Sequence, residues 1–172
     1  FRTEVEDQIA YVSSPTDGTP LTPACAAFFG TFGGYQNFDE VRSQGAEFAG
    51  QMQVTDDLDV AVAYTFTDAS ITSRDRRLRD VPRHEGSFQV NWTGGAEGLT
   101  LGVDGRYRSN EDNFGGTSDS FFVARVRASY EVAGGGPEFF IRVENAFDED
   151  YEESFGSGTP DRSVFGGVRV KY

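Results

Sequence analysis

The single histidine, His84, would have to serve any hydrolytic triad in this sequence, with Ser87 and Asp80 as its neighbours along the chain. Such chemistry needs a nucleophile raised on a sharp turn, and no serine here sits in a nucleophile elbow. No enzymatic activity is expected, and His84 reads as a residue at a loop-to-strand junction. The acidic run Asp148, Glu149, Asp150, Glu152 and Glu153 offers the clustered oxygens that calcium prefers. An EF-hand loop requires Gly at its sixth position, where Glu153 stands, so the run reads as a solvated loop. The lone Cys25 can make neither an intrachain disulfide nor a cysteine-based metal site. No metal site and no cofactor are expected. Asn91-Trp92-Thr93 fits a glycosylation sequon, but it falls inside a stretch that reads as a strand.

Arginines are the remaining candidates. Arg74, Arg76, Arg77, Arg79 and Arg83 crowd one long loop of an otherwise acidic chain. Their guanidinium forks suit an anionic ligand or lipid phosphates. They suit equally well a set of local ion pairs with Asp75, Asp80 and Glu85. A second set, Arg106, Arg108, Arg125, Arg127, Arg142 and Arg169, recurs at alternate positions of apolar-polar stretches. These are expected to pair across strands with Asp104, Glu131 and Glu144.

The elements that must carry these side chains are strands. Between Phe122 and Val132 the even positions are Phe122, Ala124, Val126, Ala128, Tyr130 and Val132, and the odd ones include Arg125, Arg127, Ser129 and Glu131. Period-two alternation of this kind gives a strand one apolar and one polar face. A helix would scatter the arginines around its cylinder. The same alternation covers Leu58 to Thr67, Ser87 to Trp92, Leu99 to Arg108, Glu138 to Glu144 and Val164 to Tyr172. Weaker versions run from about Arg2 to Val12 and from about Tyr35 to Val54. The count is roughly eight strands. Thr55-Asp56-Asp57, Gly94 to Gly98 and Ala133 to Pro137 are short, turn-like links. Ser13 to Gly34, Ala69 to His84, Asn110 to Asp119 and Asp148 to Asp161 are long.

Composition points the same way. Hydrophobic residues make up 37% of the 172 residues, while 16 Phe, 7 Tyr and 21 Gly are present. Many aromatics and glycines with few large aliphatics suit a sheet whose apolar side faces something other than its own core. The net charge of -13 speaks against nucleic acid, since phosphate binding needs a positive surface. No apolar run reaches the roughly 18 residues of a spanning helix, so a membrane protein of this sequence must cross as a barrel. Short turns on one side and long loops on the other are the rhythm of an outer-membrane barrel. Trp92, Tyr130 and Tyr172 fall at the short-turn ends of their strands, and Tyr64, Phe66, Tyr107 and Phe122 at the long-loop ends. Two such aromatic girdles are expected at the two lipid–water boundaries. A soluble β-sandwich also alternates, but it does not require the loop rhythm.

Several segments then carry a family resemblance. Asn145-Ala146-Phe147-Asp148-Glu149-Asp150-Tyr151 resembles the N-L-F-D-x-x-Y segment of TonB-dependent receptors, with Ala146 in place of the usual Leu. Gly158-Thr159-Pro160-Asp161-Arg162 is similar to their G-x-P-G-R, with Asp161 at the second glycine. Asn37 to Glu47 and Leu78 to His84 resemble two further family segments. Gly167, Val170 and the terminal Tyr172 resemble the signal by which barrel-assembly machinery selects its clients.

The resemblance implies an all-β fold, an antiparallel up-and-down meander of about eight strands within a larger transmembrane β-barrel. Residues 1–172 would be its C-terminal segment, with the plug domain and the N-terminal barrel strands outside this chain. It implies the outer membrane of a Gram-negative bacterium and energy-coupled uptake of a ferric siderophore, a cobalamin-like cofactor or an oligosaccharide by the complete protein. The partners implied are outer-membrane lipid, the plug, the inner-membrane energy-coupling complex, barrel-assembly machinery and a small-molecule solute. The arginine loop 74–83 would face that solute. Arg106, Arg108, Arg125, Arg127, Arg142, Glu144 and Arg169 would face the lumen. The alternative is a closed eight-stranded barrel with an adhesive or structural role in the outer membrane.

Overall fold

The computed structural model describes residues 1–12, 34–72, 76–113 and 116–170. Cys25, Arg74 and Tyr172 lie outside the described residues. The strands are β1 (Arg2–Val12), β2 (Gly34–Thr55), β3 (Leu58–Ile71), β4 (Arg76–Arg77), β5 (His84–Trp92), β6 (Leu99–Arg108), β7 (Glu111–Asn113), β8 (Gly116–Ser118), β9 (Phe121–Glu131), β10 (Glu138–Glu144), β11 (Glu152–Ser154), β12 (Ser157–Gly158) and β13 (Ser163–Arg169). Backbone proximity divides the chain into two units, Phe1–Gln44 with Asp68–Leu78, and Gly45–Thr67 with Arg79–Tyr172.

In the first unit β1 pairs antiparallel with the N-terminal part of β2, from Arg2↔Gln44 to Val12↔Gly34. Arg42 bridges this pair by donating from Nε to Glu4 at 3.0 Å. The end of β3 turns back on β4 through Ser70↔Arg77 and Ile71↔Arg76. Val41, Ala69 and Ile71 are the buried apolar residues of this unit among those described.

The second unit is an antiparallel run in the order β3-β5-β6-β9-β10-β13, with the remainder of β2 beside β3. Its registers are unbroken. Leu58↔Trp92, Trp92↔Leu101, Leu101↔Ala128 and Ala128↔Ile141 carry one face across five strands. Side chains alternate along each strand, so an unshifted register keeps every apolar position on the same side. Turn chemistry holds the register. Thr93 donates its N–H to Asp57 across the base of the β3–β5 pair at 2.9 Å. Gly98 opens β6 at φ +85°, and a Cβ there would lie 2.2 Å from the Glu131 carbonyl oxygen, so only glycine fits.

Among the described residues no second layer covers the apolar face of this unit. Val62, Leu101, Val103, Val126, Ile141 and Val168 are 37–56% exposed. Among the described residues no large side chain is fully buried. A β-sandwich buries that face in a core some 10 Å thick, and the described residues form no such core. Aromatics mark both ends of the exposed face. Trp92 and Tyr130 sit toward the short turns, and Tyr64, Tyr107 and Phe122 toward the opposite ends, all 36–45% exposed. Among the described residues no helix is long and apolar enough to cross a membrane, which says nothing of strands.

Candidate functional site

The polar face of the second unit is built around Asp104. Register places it opposite Arg125, with Gln89 on its other side. Its carboxylate accepts from Arg125 Nε at 3.1 Å and from Arg127 Nη1 at 3.5 Å. Arg127 also donates from Nη2 to Asn91 Oδ1, which ties β5, β6 and β9 together. Gly102 makes room for that arginine, since a Cβ there would lie 2.4 Å from Arg127 Nε. Farther along, Arg142 Nε lies 3.2 Å from Glu144 Oε1 and its guanidinium stacks on the Phe165 ring at 4.8 Å. Arg169 Nη1 reaches Glu138 Oε2 at 2.6 Å on the facing strand. Each pair has at least one partner partly open to solvent, so it contributes little to stability and mainly fixes orientation.

Arg106 and Arg108 also find partners outside the strand pattern. Arg106 pairs with Glu153, from the segment between β10 and β13. Arg108 Nη2 donates to Glu111 Oε2 at 2.8 Å, and Arg108 Nε lies 3.8 Å from Glu85. The Glu111 side chain is only 4% exposed, and Arg108 is the charged group that pairs with it. Ala61, Ser87, Asp104, Arg125 and Tyr151 help line a concavity of about 850 Å³ on this face.

The Asn145 segment proves to be a fastener. Asn145 stands at φ +49°, is 4% exposed, and accepts the Glu149 N–H on Oδ1 at 2.9 Å. Its Nδ2 donates to the carbonyls of Glu149 at 2.8 Å and Pro160 at 3.4 Å. Asp148 accepts the Arg162 N–H at 2.8 Å, and Tyr151 packs on Phe121 with ring centroids 4.7 Å apart. The two motif-bearing halves of this loop are thus joined to each other. Glu152 and Glu153 are likewise engaged, with the Gly156 N–H and with Arg106. Among the described residues no group of three or more His, Cys, Asp or Glu is arranged to hold a metal ion.

His84 opens β5 on the apolar side. Its Nδ1 shares a hydrogen bond of 2.7 Å with the Tyr64 hydroxyl, and its ring packs against Phe66 at 5.3 Å. Ser87, an odd number of residues away in the same strand, points to the opposite face, so the two cannot act together. Ser109 does more for this corner than sequence suggests. It is buried, and its hydroxyl accepts the N–H groups of Arg83 and His84, each at 3.0 Å.

Arg76 and Arg77 make up β4 in the first unit, whereas Arg79 and Arg83 belong to the second. Gly167 lies opposite Phe140 in the β10–β13 register, where a Cβ would meet the Phe140 ring at 2.7 Å. Val170 follows β13 and is 63% exposed.

Comparison with known proteins gives a consistent result. The family model described as TonB dependent receptor-like, beta-barrel matches residues 1–146. The ferrichrome outer membrane transporter/phage receptor of Escherichia coli (strain K12) is 31% identical over 143 residues, covering 74% of this chain and 18% of that protein. The metal-pseudopaline receptor CntO of Pseudomonas aeruginosa (strain UCBPP-PA14) is 30% identical over 133 residues, covering 70% of this chain and 19% of that protein. The chain therefore spans about a fifth of the length of these curated relatives. In fold it is similar to the siderophore receptor PiuA from Acinetobacter baumannii, with a TM-score of 0.76 at 17% identity over 99% of this chain and 25% of that one. It is also similar to the copper transporter OprC, with a TM-score of 0.71 at 20% identity over 97% of this chain and 27% of that one.

Proposed function

The chain belongs to the TonB-dependent receptor β-barrel family, and from that premise we propose that it forms the wall of an outer-membrane transporter for metal chelates. It is a Gram-negative outer-membrane protein, as its relatives are. The exposed apolar face of β3, β5, β6, β9, β10 and β13 meets the acyl chains, and the Asp104-centred polar face turns toward the lumen. Closed barrels satisfy every backbone group in lipid, and such barrels carry an apolar band outside and a polar lining within. The single observation that carries this reading is the run of large apolar side chains left uncovered beside an unbroken ladder.

In the complete protein this wall acts with a plug and with an energy-coupling complex of the inner membrane. The transported solute is a metal bound to a small chelator. The names of the relatives, a ferrichrome transporter and a metal-pseudopaline receptor, support that class over a cobalamin-like or saccharide solute. No bond of the solute is made or broken by this wall. Lumen arginines in pairs and triplets with carboxylates give a surface of alternating charge, which suits transient polar contact rather than tight anion capture.

The test is uptake by living cells. Disrupting the gene in its host and starving for metal is expected to lower accumulation of one radiolabelled metal chelate at least about tenfold, with restoration by the full-length gene. A protonophore is expected to abolish the same uptake in the parent strain. Unchanged accumulation of every iron, copper, nickel and zinc chelate offered would overturn the reading.

A further inference from the structure

Two outer segments of the second unit form small hairpins, β7–β8 after β6 and β11–β12 after β10. We propose that these hairpins are latched into one wall, with Arg108 at the hub, so that neither opens without the other. This rests on the reading of their strand ends as the outer mouth of the transporter, but its test does not depend on transport.

One guanidinium holds both segments. Arg108, the last residue of β6, donates from Nη2 to Glu111 of the first hairpin at 2.8 Å. From Nη1 it donates to the backbone carbonyl of Glu153 in the second hairpin at 3.2 Å. A planar fork with five donors can bridge two acceptors in this way, whereas an ammonium holds no such fixed geometry. Glu111 is buried beside Arg108, so releasing the arginine strands a carboxylate.

Four further contacts surround the same pieces, and the last of them joins the two hairpins directly. Arg106 pairs with the Glu153 carboxylate and stacks over Phe121 at 5.4 Å. Phe121 is 4% exposed and packs on Tyr151, one residue before β11. Phe155 at the tip of the second hairpin lies against Gly116 of the first, where a Cβ would come within 2.4 Å of its ring. Inside the first hairpin Asn113 and Ser118 are both buried, and Asn113 Nδ2 donates to Ser118 Oγ at 2.8 Å. A short hairpin whose described residues are all polar or glycine would open at little cost. Here its contacts are shared with a neighbour, which makes one cooperative unit of two.

The consequence for the proposed receptor is a preformed surface on this side of the mouth. Ordering has been met in advance, so the solute loses less freedom on landing. Any opening of the mouth on this side must carry both hairpins together.

Hydrogen exchange on the full-length receptor in detergent micelles tests this with two variants. Phe155→Ala alters only a 43% exposed side chain of the second hairpin. It is expected to speed exchange at residues 111–118, in the other hairpin, at least about fivefold. Arg108→Gln is expected to speed exchange in both hairpins. Acceleration confined to 148–161 in F155A, or to 109–119 in R108Q, would overturn the latch. If R108Q fails to assemble as a heat-modifiable barrel, F155A alone decides.

Discussion

Replacing Val103 by Arg is expected to cost the assembled receptor about 2–4 kcal/mol, the penalty for an arginine facing lipid near the bilayer midplane. Val103 is the central apolar residue of β6, between Leu101 and Gly105, and it stands 37% exposed in a face that no described residue covers. Its register partners Val90 and Val126 extend the same greasy row to either side. The matched change on the polar face is Gln89→Arg, beside Asp104. There the new guanidinium meets a carboxylate and water, and a shift within about 0.5 kcal/mol is expected. Reversible urea unfolding in lipid vesicles gives both numbers. Equal costs at the two positions would mean that the two faces do not differ in what they touch.

A comparable loss is expected at Asn145 for another reason. Asn145→Ala removes one acceptor and two donor contacts to Glu149 and Pro160 in a site that is 4% exposed. Left unpaired, such buried groups cost about 1–3 kcal/mol. The backbone at φ +49° is one that asparagine tolerates and alanine does not, which adds about 1 kcal/mol. The sum, about 2–4 kcal/mol, falls on the 145–162 loop first. The expected sign is cleavage within that loop by protease added to intact cells, with the barrel still heat-modifiable. Asn145→Asp keeps the acceptor and the backbone preference, so it should lie between the two. A loop as resistant in N145A as in the parent would show that the fastener carries no weight.

Strand positions were legible because period-two alternation depends only on neighbours two residues apart. Leu99–Arg108 and Glu138–Glu144 coincide with the alternating stretches, and β2 exceeds its expected bounds by one residue at each end. β3 runs on past Thr67 to Ile71, where Asp68-Ala69-Ser70 blurs the alternation and pairing with β4 takes over. The hairpins β7–β8 and β11–β12 were not legible. Glu111-Asp112-Asn113 is too short and too polar to announce a strand, and it is held by Arg108 and by contacts with a segment some forty residues away.

The polar face divides in the same way. Arg125, Arg127 and Asp104 could be matched from spacing, since cross-strand neighbours follow once the register is known. Arg169 and Glu138 likewise face each other in the β10–β13 register, whereas Glu153 and Glu111, the partners of Arg106 and Arg108, come from loop segments that alternation does not reach. Asn145 was visible as part of a family segment, but its work as a hydrogen-bonding fastener appears only when Glu149 and Pro160 are seen folded around it.

Everything about the proposed receptor turns on what the apolar face of these strands touches. Nitroxide labels placed one at a time from position 99 to 107 of the full-length protein in liposomes measure this directly. Collision with oxygen, which dissolves in acyl chains, should peak at 99, 101, 103, 105 and 107 and fall at the positions between, while a water-soluble nickel complex should do the reverse. A profile without that two-residue rhythm, or with its phase inverted, would contradict a lipid-facing wall.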